Sequence, residues 1–291
     1  MTPVGTAAGV VLVFVSGSSL FGTLPATAHG PIHEQVAALT TQIQQDSQNA
    51  VLYLKRGELR SYDGDWDAAL ADYEHAAQLD PALAAVDLAR GKPFLQAGRY
   101  SQAKMALDGF LTNHPDHAEA LATRARVLVK LGQGSAAAKD YSRAIMVAEK
   151  LGRPNPEYYL ERARALAAEE GVPVDEALRG LDEGLRRLGP LTTLQLFAID
   201  FELANNRYEA ALARLETITA QSPRKEPWLA RRGEILEQAG RAAQARLAYE
   251  QALAAIESLP ARHRTTEATA KLEAQIRAAL ARGNALVEAD R

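Results

Sequence analysis

Small residues preceded by arginine recur along this chain at a fixed interval. Arg56-Gly57, Arg90-Gly91 and Arg124-Ala125 stand 34 residues apart; Arg162-Ala163 follows 38 later and Arg232-Gly233 a further 70. Other landmarks keep step with them. Gly64, Gly98, Gly132 and Gly240 each lie seven residues after the small residue. Ala69, Ala103, Ala137, Ala177, Ala211 and Ala245 form a third set. Four residues beyond each is a large side chain: Tyr73, Leu107, Tyr141, Leu181, Leu215 and Tyr249. Pro81, Pro115 and Pro223 close three of the units. A repeat this short cannot bury its own apolar stripe, so the recurrence demands stacked copies of one supersecondary unit.

The units start near Ala50, Ala84, Ala118, Pro156, Thr192 and Glu226 and span residues 50–259. Each holds two apolar-periodic segments of helical length. The intervening glycine falls where a left-handed cap is needed, and Asn206 takes that place in the fifth unit. Asp80-Pro81, His114-Pro115 and Ser222-Pro223 stop the second segment, because proline disfavours helix in the residue before it. Gly57 and Ala69 allow close helix approach, and Tyr73 is expected to fill the groove between successive units. The fourth unit departs most, with Gly171 out of register and Gly189 in place of proline; the fifth has Ile199 at the small-residue position. Residues 29–49 supply a capping helix, with Ile32, Val36, Leu39 and Ile43 on one stripe, and 260–291 supply another.

Taken together, these positions resemble the tetratricopeptide repeat (TPR), whose unit is 34 residues. The resemblance covers about 210 residues. It implies an all-α, right-handed α-solenoid of about six helix hairpins with terminal caps, and a non-catalytic scaffold that binds proteins or peptides. It also places certain positions of each first helix on the concave inner face. The ninth positions hold Glu58, Lys92, Arg126, Arg164, Asp200 and Glu234, so the middle is basic and the flanks acidic. Lys130 adds to the centre; Leu54, Leu88, Leu95, Leu160, Leu196 and Leu203 supply apolar contact. The implied ligand is an extended or helical segment bearing Asp, Glu or a free C-terminal carboxylate, which arginine grips with paired hydrogen bonds. The plainer alternative is ordinary charge at solvent-facing helix positions. Some relatives clamp two carboxylates with Lys and Asn in the first unit; Leu54 and Glu58 stand there in this chain. The seventh-position arginines (Arg56, Arg90, Arg124, Arg162 and Arg232) are expected to pair with carboxylates on neighbouring helices.

Residues 1–28 carry no charged side chain. The apolar run Gly9–Val15 precedes Ala26-Thr27-Ala28, which reads as a secretory signal with cleavage before His29 and places the protein outside the cytoplasm, periplasmic or secreted. No Lys or Arg precedes the run, so an uncut anchor from Val4 to Leu24 is the alternative, making the chain a membrane-tethered assembly factor. Membrane contact is expected only in that case.

Chemistry is sparse. The chain has no cysteine, which removes disulfides, zinc–thiolate sites, lipidated cysteine and cysteine nucleophiles. It lacks the phosphate-loop, serine-hydrolase and zinc-protease motifs. A net charge of −3 gives no nucleic-acid surface. No cofactor and no catalytic residue is expected. His114 and His117 read as turn residues. His29, as a mature N-terminus, together with His33, offers a copper-carrier alternative. Adjacent acids such as Asp182-Glu183 point apart on a helix and make poor acid–base pairs.

Overall fold

The computed structural model describes the backbone of residues 30–289 and the side chains of 31–282. Every regular element among them is helical. The chain divides into two compact units, Met1–Pro81 and Ala82–Arg291. The boundary follows the first of the closing prolines. The expected signal segment, 1–28, and His29 lie outside the described residues.

The first unit holds α1 (Gly30–Gln45), α2 (Ala50–Asp63) and α3 (Trp66–Leu79). Asn49 caps α2 by accepting from the Val51 amide at 3.2 Å, and Asp65 caps α3 by accepting from the Ala68 amide at 3.2 Å. Between them Gly64 turns left-handed at φ +86°, a region closed to most side chains. The α1 stripe packs on α2 with Ile43 buried. Tyr73 is buried. Its ring lies inside its own hairpin, over Gly57, where an added Cβ would come within 2.5 Å of Cε1. Glycine at 57 is thus the partner of the aromatic sixteen residues on.

The second unit continues with paired helices: α4 (Ala84–Gln96) and α5 (Tyr100–Asn113), α6 (Ala118–Lys130) and α7 (Gly134–Lys150), α8 (Pro156–Ala167) and α9 (Val174–Leu188). Next come α10 (Thr192–Ala204) and α11 (Tyr208–Gln221), then α12 (Glu226–Gln238) and α13 (Ala242–Glu257). The short α14 (Ala261–Arg264) and the long α15 (Glu267–Ala289) follow. From α4 to α13 each helix packs on the next, and α15 covers α13 with Ile276 and Ala279 buried. The small–large couple repeats: Gly91 lies against Leu107 and Gly233 against the Tyr249 ring. In the fifth pair Ile199 and Leu215 are both buried in one apolar cluster with Ile235. Asn206 adopts φ +57°, the one non-glycine in that region among the described residues. Three of the four extra residues of the third interval lengthen α7, whose 17 residues exceed the 14 of α5, and the fourth falls in the turn before α8.

Arg56, Arg124 and Arg162, three of the five seventh-position arginines, tie helices together, while Arg90 lies 3.7 Å from Asp87 on its own helix. Arg56 Nη2 donates to Asp72 at 2.6 Å, and Arg60 shares that carboxylate at 2.9 Å. Arg124 reaches Asp140 at 2.7 Å on its own hairpin and Asp108 at 2.8 Å on the preceding one. Arg162 donates to Glu183 at 2.7 Å. Hydrogen bonding to Asp72 and to Asp140 raises the pKa of Arg56 and Arg124 above the ordinary guanidinium value. The fifth pair reverses the polarity. Glu202 on α10 accepts from Arg214 on α11 at 2.7 Å, and Arg214 also holds Asp182 at 2.6 Å. Burial pushes the Glu202 carboxyl up despite Arg214. Burial opposes the Arg214 cation, but its hydrogen bonds to Asp182 and Glu202 hold its pKa above the usual value.

Candidate protein-binding faces

The first helices of the second unit carry most of the expected contact residues, and cross-helix links bring them together. Arg126 on α6 lies 4.0 Å from Glu157 on α8. Arg164 on α8 sits over the Phe197 ring of α10 at 4.9 Å, a cation–π geometry. Arg231 on α12 donates to Asp200 on α10 at 2.9 Å and to Glu234 at 2.8 Å. These links define one face running over α6, α8, α10 and α12. Lys92, Lys130, Arg164, Asp200 and Glu234 are exposed on their helices, and Arg126 is half-buried.

Three features differ from the sequence reading. Leu54, in the first unit, is only 7% exposed and belongs to the core, so it offers no contact surface; Glu58 beside it is exposed. Leu88, Leu95 and Leu160 are half-buried against the second unit's core, and Leu196 and Leu203 against a neighbouring cluster. The floor is therefore mostly spent on packing. The basic middle is also partly neutralised, because Arg164 donates to Glu161 at 2.6 Å and Arg126 has Glu157 nearby. Those two acids sit at positions the ninth-position pattern does not sample.

The histidines resolve into structural parts. His117 Nδ1 accepts from the Ala120 amide at 3.2 Å and caps α6, while His114 stacks on Phe110 at 4.6 Å. His33 is exposed, 3.9 Å from Asp63. No group of three potential metal ligands occurs among the described residues. Asp182 and Glu183 serve different arginines, Arg214 and Arg162, so they do not act as a pair. No helix among the described residues is long and apolar enough to cross a membrane.

Sequence reasoning missed the cavities. A groove of about 1160 Å³ lies between α7 and α9, and one of about 400 Å³ lies between α11 and α12 with Trp228 in its wall. Both arise between second helices or between hairpins, where the repeat pattern records only packing positions.

Residues 88–150 match the tetratricopeptide repeat model, and residues 180–274 match a tetratricopeptide repeat-like domain. The chain belongs to the tetratricopeptide repeat family. This TPR protein shares its all-α repeat solenoid fold with solved structures. A tetratricopeptide repeat protein from Parabacteroides merdae matches at 18% identity and TM-score 0.54, covering 86% of this chain and 94% of its own. The C-terminal part of a TPR repeat-containing protein from Cytophaga hutchinsonii matches at 14% identity and TM-score 0.62, covering 83% and 94%. YrrB, a TPR protein with an unusual peptide-binding site, matches at 24% identity and TM-score 0.52, covering 65% and 94%. No curated protein matches the TPR chain in sequence.

Proposed function

We propose that this protein is a non-catalytic scaffold outside the cytoplasm that holds a protein or peptide segment against the first helices of its second unit. The observation that carries the reading is that Lys92, Lys130, Arg164, Asp200 and Glu234 are exposed on successive first helices, with Arg126 half-buried among them. These side chains stand on rigid helices fixed by the cores beneath them. A row of mixed charge suits a segment whose own charges alternate in register, and its basic part suits an acidic residue or a C-terminal carboxylate. The placement outside the cytoplasm rests on the uncharged residues 1–28 and the Ala26-Thr27-Ala28 cleavage pattern.

The test is crosslinking and affinity capture from the native envelope with the wild-type chain and with Lys92→Glu plus Arg126→Glu. The double change is expected to abolish capture while leaving thermal unfolding unchanged, because exposed pairs contribute only about 0–1 kcal/mol. Undiminished capture would refute this face as the binding surface. Intact mass of the exported chain checks the N-terminal reading, with the expected product beginning at His29.

A further inference from the structure

We infer that the groove between α7 and α9 is a second docking site, on the second-helix side, for a short acidic protein segment. The inference rests on the reading that the chain works through protein contact, but not on the first-helix face proposed above.

Six cations line the groove: Lys139, Arg143, Arg162, Arg179, Arg186 and Arg187. Only Glu176 and Glu183 oppose them from the lining. Three of the cations are engaged. Arg162, 8% exposed, forms the floor and bridges the two walls, donating to Ser142 Oγ at 3.3 Å on α7 and to Glu183 at 2.7 Å on α9. Arg143 donates to Asp116 at 2.9 Å, and Arg187 pairs with Glu149 and with Glu183 at 3.1 Å. Lys139, Arg179 and Arg186 are exposed, with Asp175 one turn before Arg179 as its nearby acid. An electropositive concavity with spare donors is what an acidic ligand requires.

The groove also has an apolar component. Ala138 and Leu166 line it, and Met146 stands 61% exposed at its edge. Methionine adapts its shape to varied apolar partners, so an acidic segment with an interleaved aliphatic residue would bury both kinds of contact. From Ser135 to Met146 the α7 wall runs roughly 16 Å, the reach of about five extended residues. Nucleic acid fits less well. No aromatic ring lines the groove to stack a base, and the chain's net charge of −3 repels a long polyanion.

The test is fluorescence anisotropy of the full chain with a labelled peptide of about eight alternating glutamate and leucine residues, long enough for the extended span. Controls are the same peptide with glutamine for glutamate and an oligothymidylate of similar length. Saturable binding is expected, about tenfold weaker for the glutamine peptide and weakened by added salt. Lys139→Glu with Arg179→Glu and Arg186→Glu should reduce it tenfold or more, on the order expected for lost charge pairs. Arg179→Ala with Arg186→Ala, two truncations of exposed side chains, gives the same direction should the triple reversal fail to fold. Lys92→Glu with Arg126→Glu should leave this binding intact. The inference is overturned by no saturable binding, by equal binding of the glutamine peptide, by tighter binding of the oligothymidylate, or by loss only in the Lys92/Arg126 variant. Because the two variants lie on different faces, failure here leaves the first-helix reading to stand or fall by its own capture experiment.

Discussion

In the hairpin α12–α13, Gly233 lies under the ring of Tyr249, whose hydroxyl donates to Glu237 at 2.9 Å. In α10–α11 the corresponding positions hold Ile199 and Leu215, both fully buried. One hairpin pairs nothing with an aromatic; the other divides the same space between two aliphatics. The ionic links show a parallel exchange. Arg124 on a first helix reaches Asp140 on the second, whereas Glu202 on a first helix receives Arg214 from the second. The comparison teaches that hairpins keep filled volume, and that where a charge pair closes a hairpin, either helix can supply the cation.

The sharpest way to break this equivalence is Arg214→Ala. The Glu202 side chain is 3% exposed and would be left as a buried anion, so we expect a loss of about 3–5 kcal/mol at neutral pH. Arg124→Ala should cost less, about 1–2 kcal/mol, because Asp140 keeps 11% exposure. Amide exchange over α10–α11 and α6–α7 reads the two effects separately, and equal losses would show that burial of the acid does not matter. Ile199→Ala should cost about 3 kcal/mol by opening a cavity that Leu215 is too small to fill, whereas Tyr73 and Tyr249 lie over the glycine in their hairpins. Denaturant unfolding checks it. Gly233→Ala is expected to cost about 1–3 kcal/mol by overpacking against Tyr249, and Tyr249→Leu in the same chain should recover much of that.

Glu202→Gln gives a smaller, pH-dependent effect. Burial raises the Glu202 carboxyl, so the folded state holds its proton more tightly than the unfolded chain. Stability therefore falls as pH rises from the unfolded carboxyl range through the raised folded value, and the variant should flatten that slope. A thermal-unfolding series from pH 4 to 7, spanning about the carboxylate range and above, measures it. Last, Asn206→Gly should stabilise by roughly 0.5–1 kcal/mol, since glycine removes the left-handed cost at φ +57°. A decrease would mean that its side chain, which accepts from the Tyr208 hydroxyl at 2.9 Å, matters more than the backbone.

The helices were legible because their signals are local. The glycine caps, the closing prolines and the periodic stripes each act within a few residues, and the expected helix starts near 50, 84, 118, 156, 192 and 226 coincide with α2, α4, α6, α8, α10 and α12. The face on α6, α8, α10 and α12 was legible as a set of positions but not as a potential. Glu157 on α8 approaches Arg126 on α6 through space, at a spacing no repeat pattern marks, whereas Glu161 stands three residues before Arg164 on one helix, a local pairing open to sequence reading. Leu54 fell into the core for a similar reason: register placed it on the face, but neighbouring packing decided its exposure.

The sequence by itself determined the hairpin unit, its period and the turns between helices, because hydrogen bonding, backbone conformation and apolar periodicity act over one or two turns of chain. The tertiary structure alone decided which charges remain available. Arg162 is engaged by Ser142 and Glu183, while Lys139, Arg179 and Arg186 face an open groove, and that difference depends on distances between helices twenty or more residues apart. Electrostatic partnership falls off with distance through space, and a linear pattern carries no record of it.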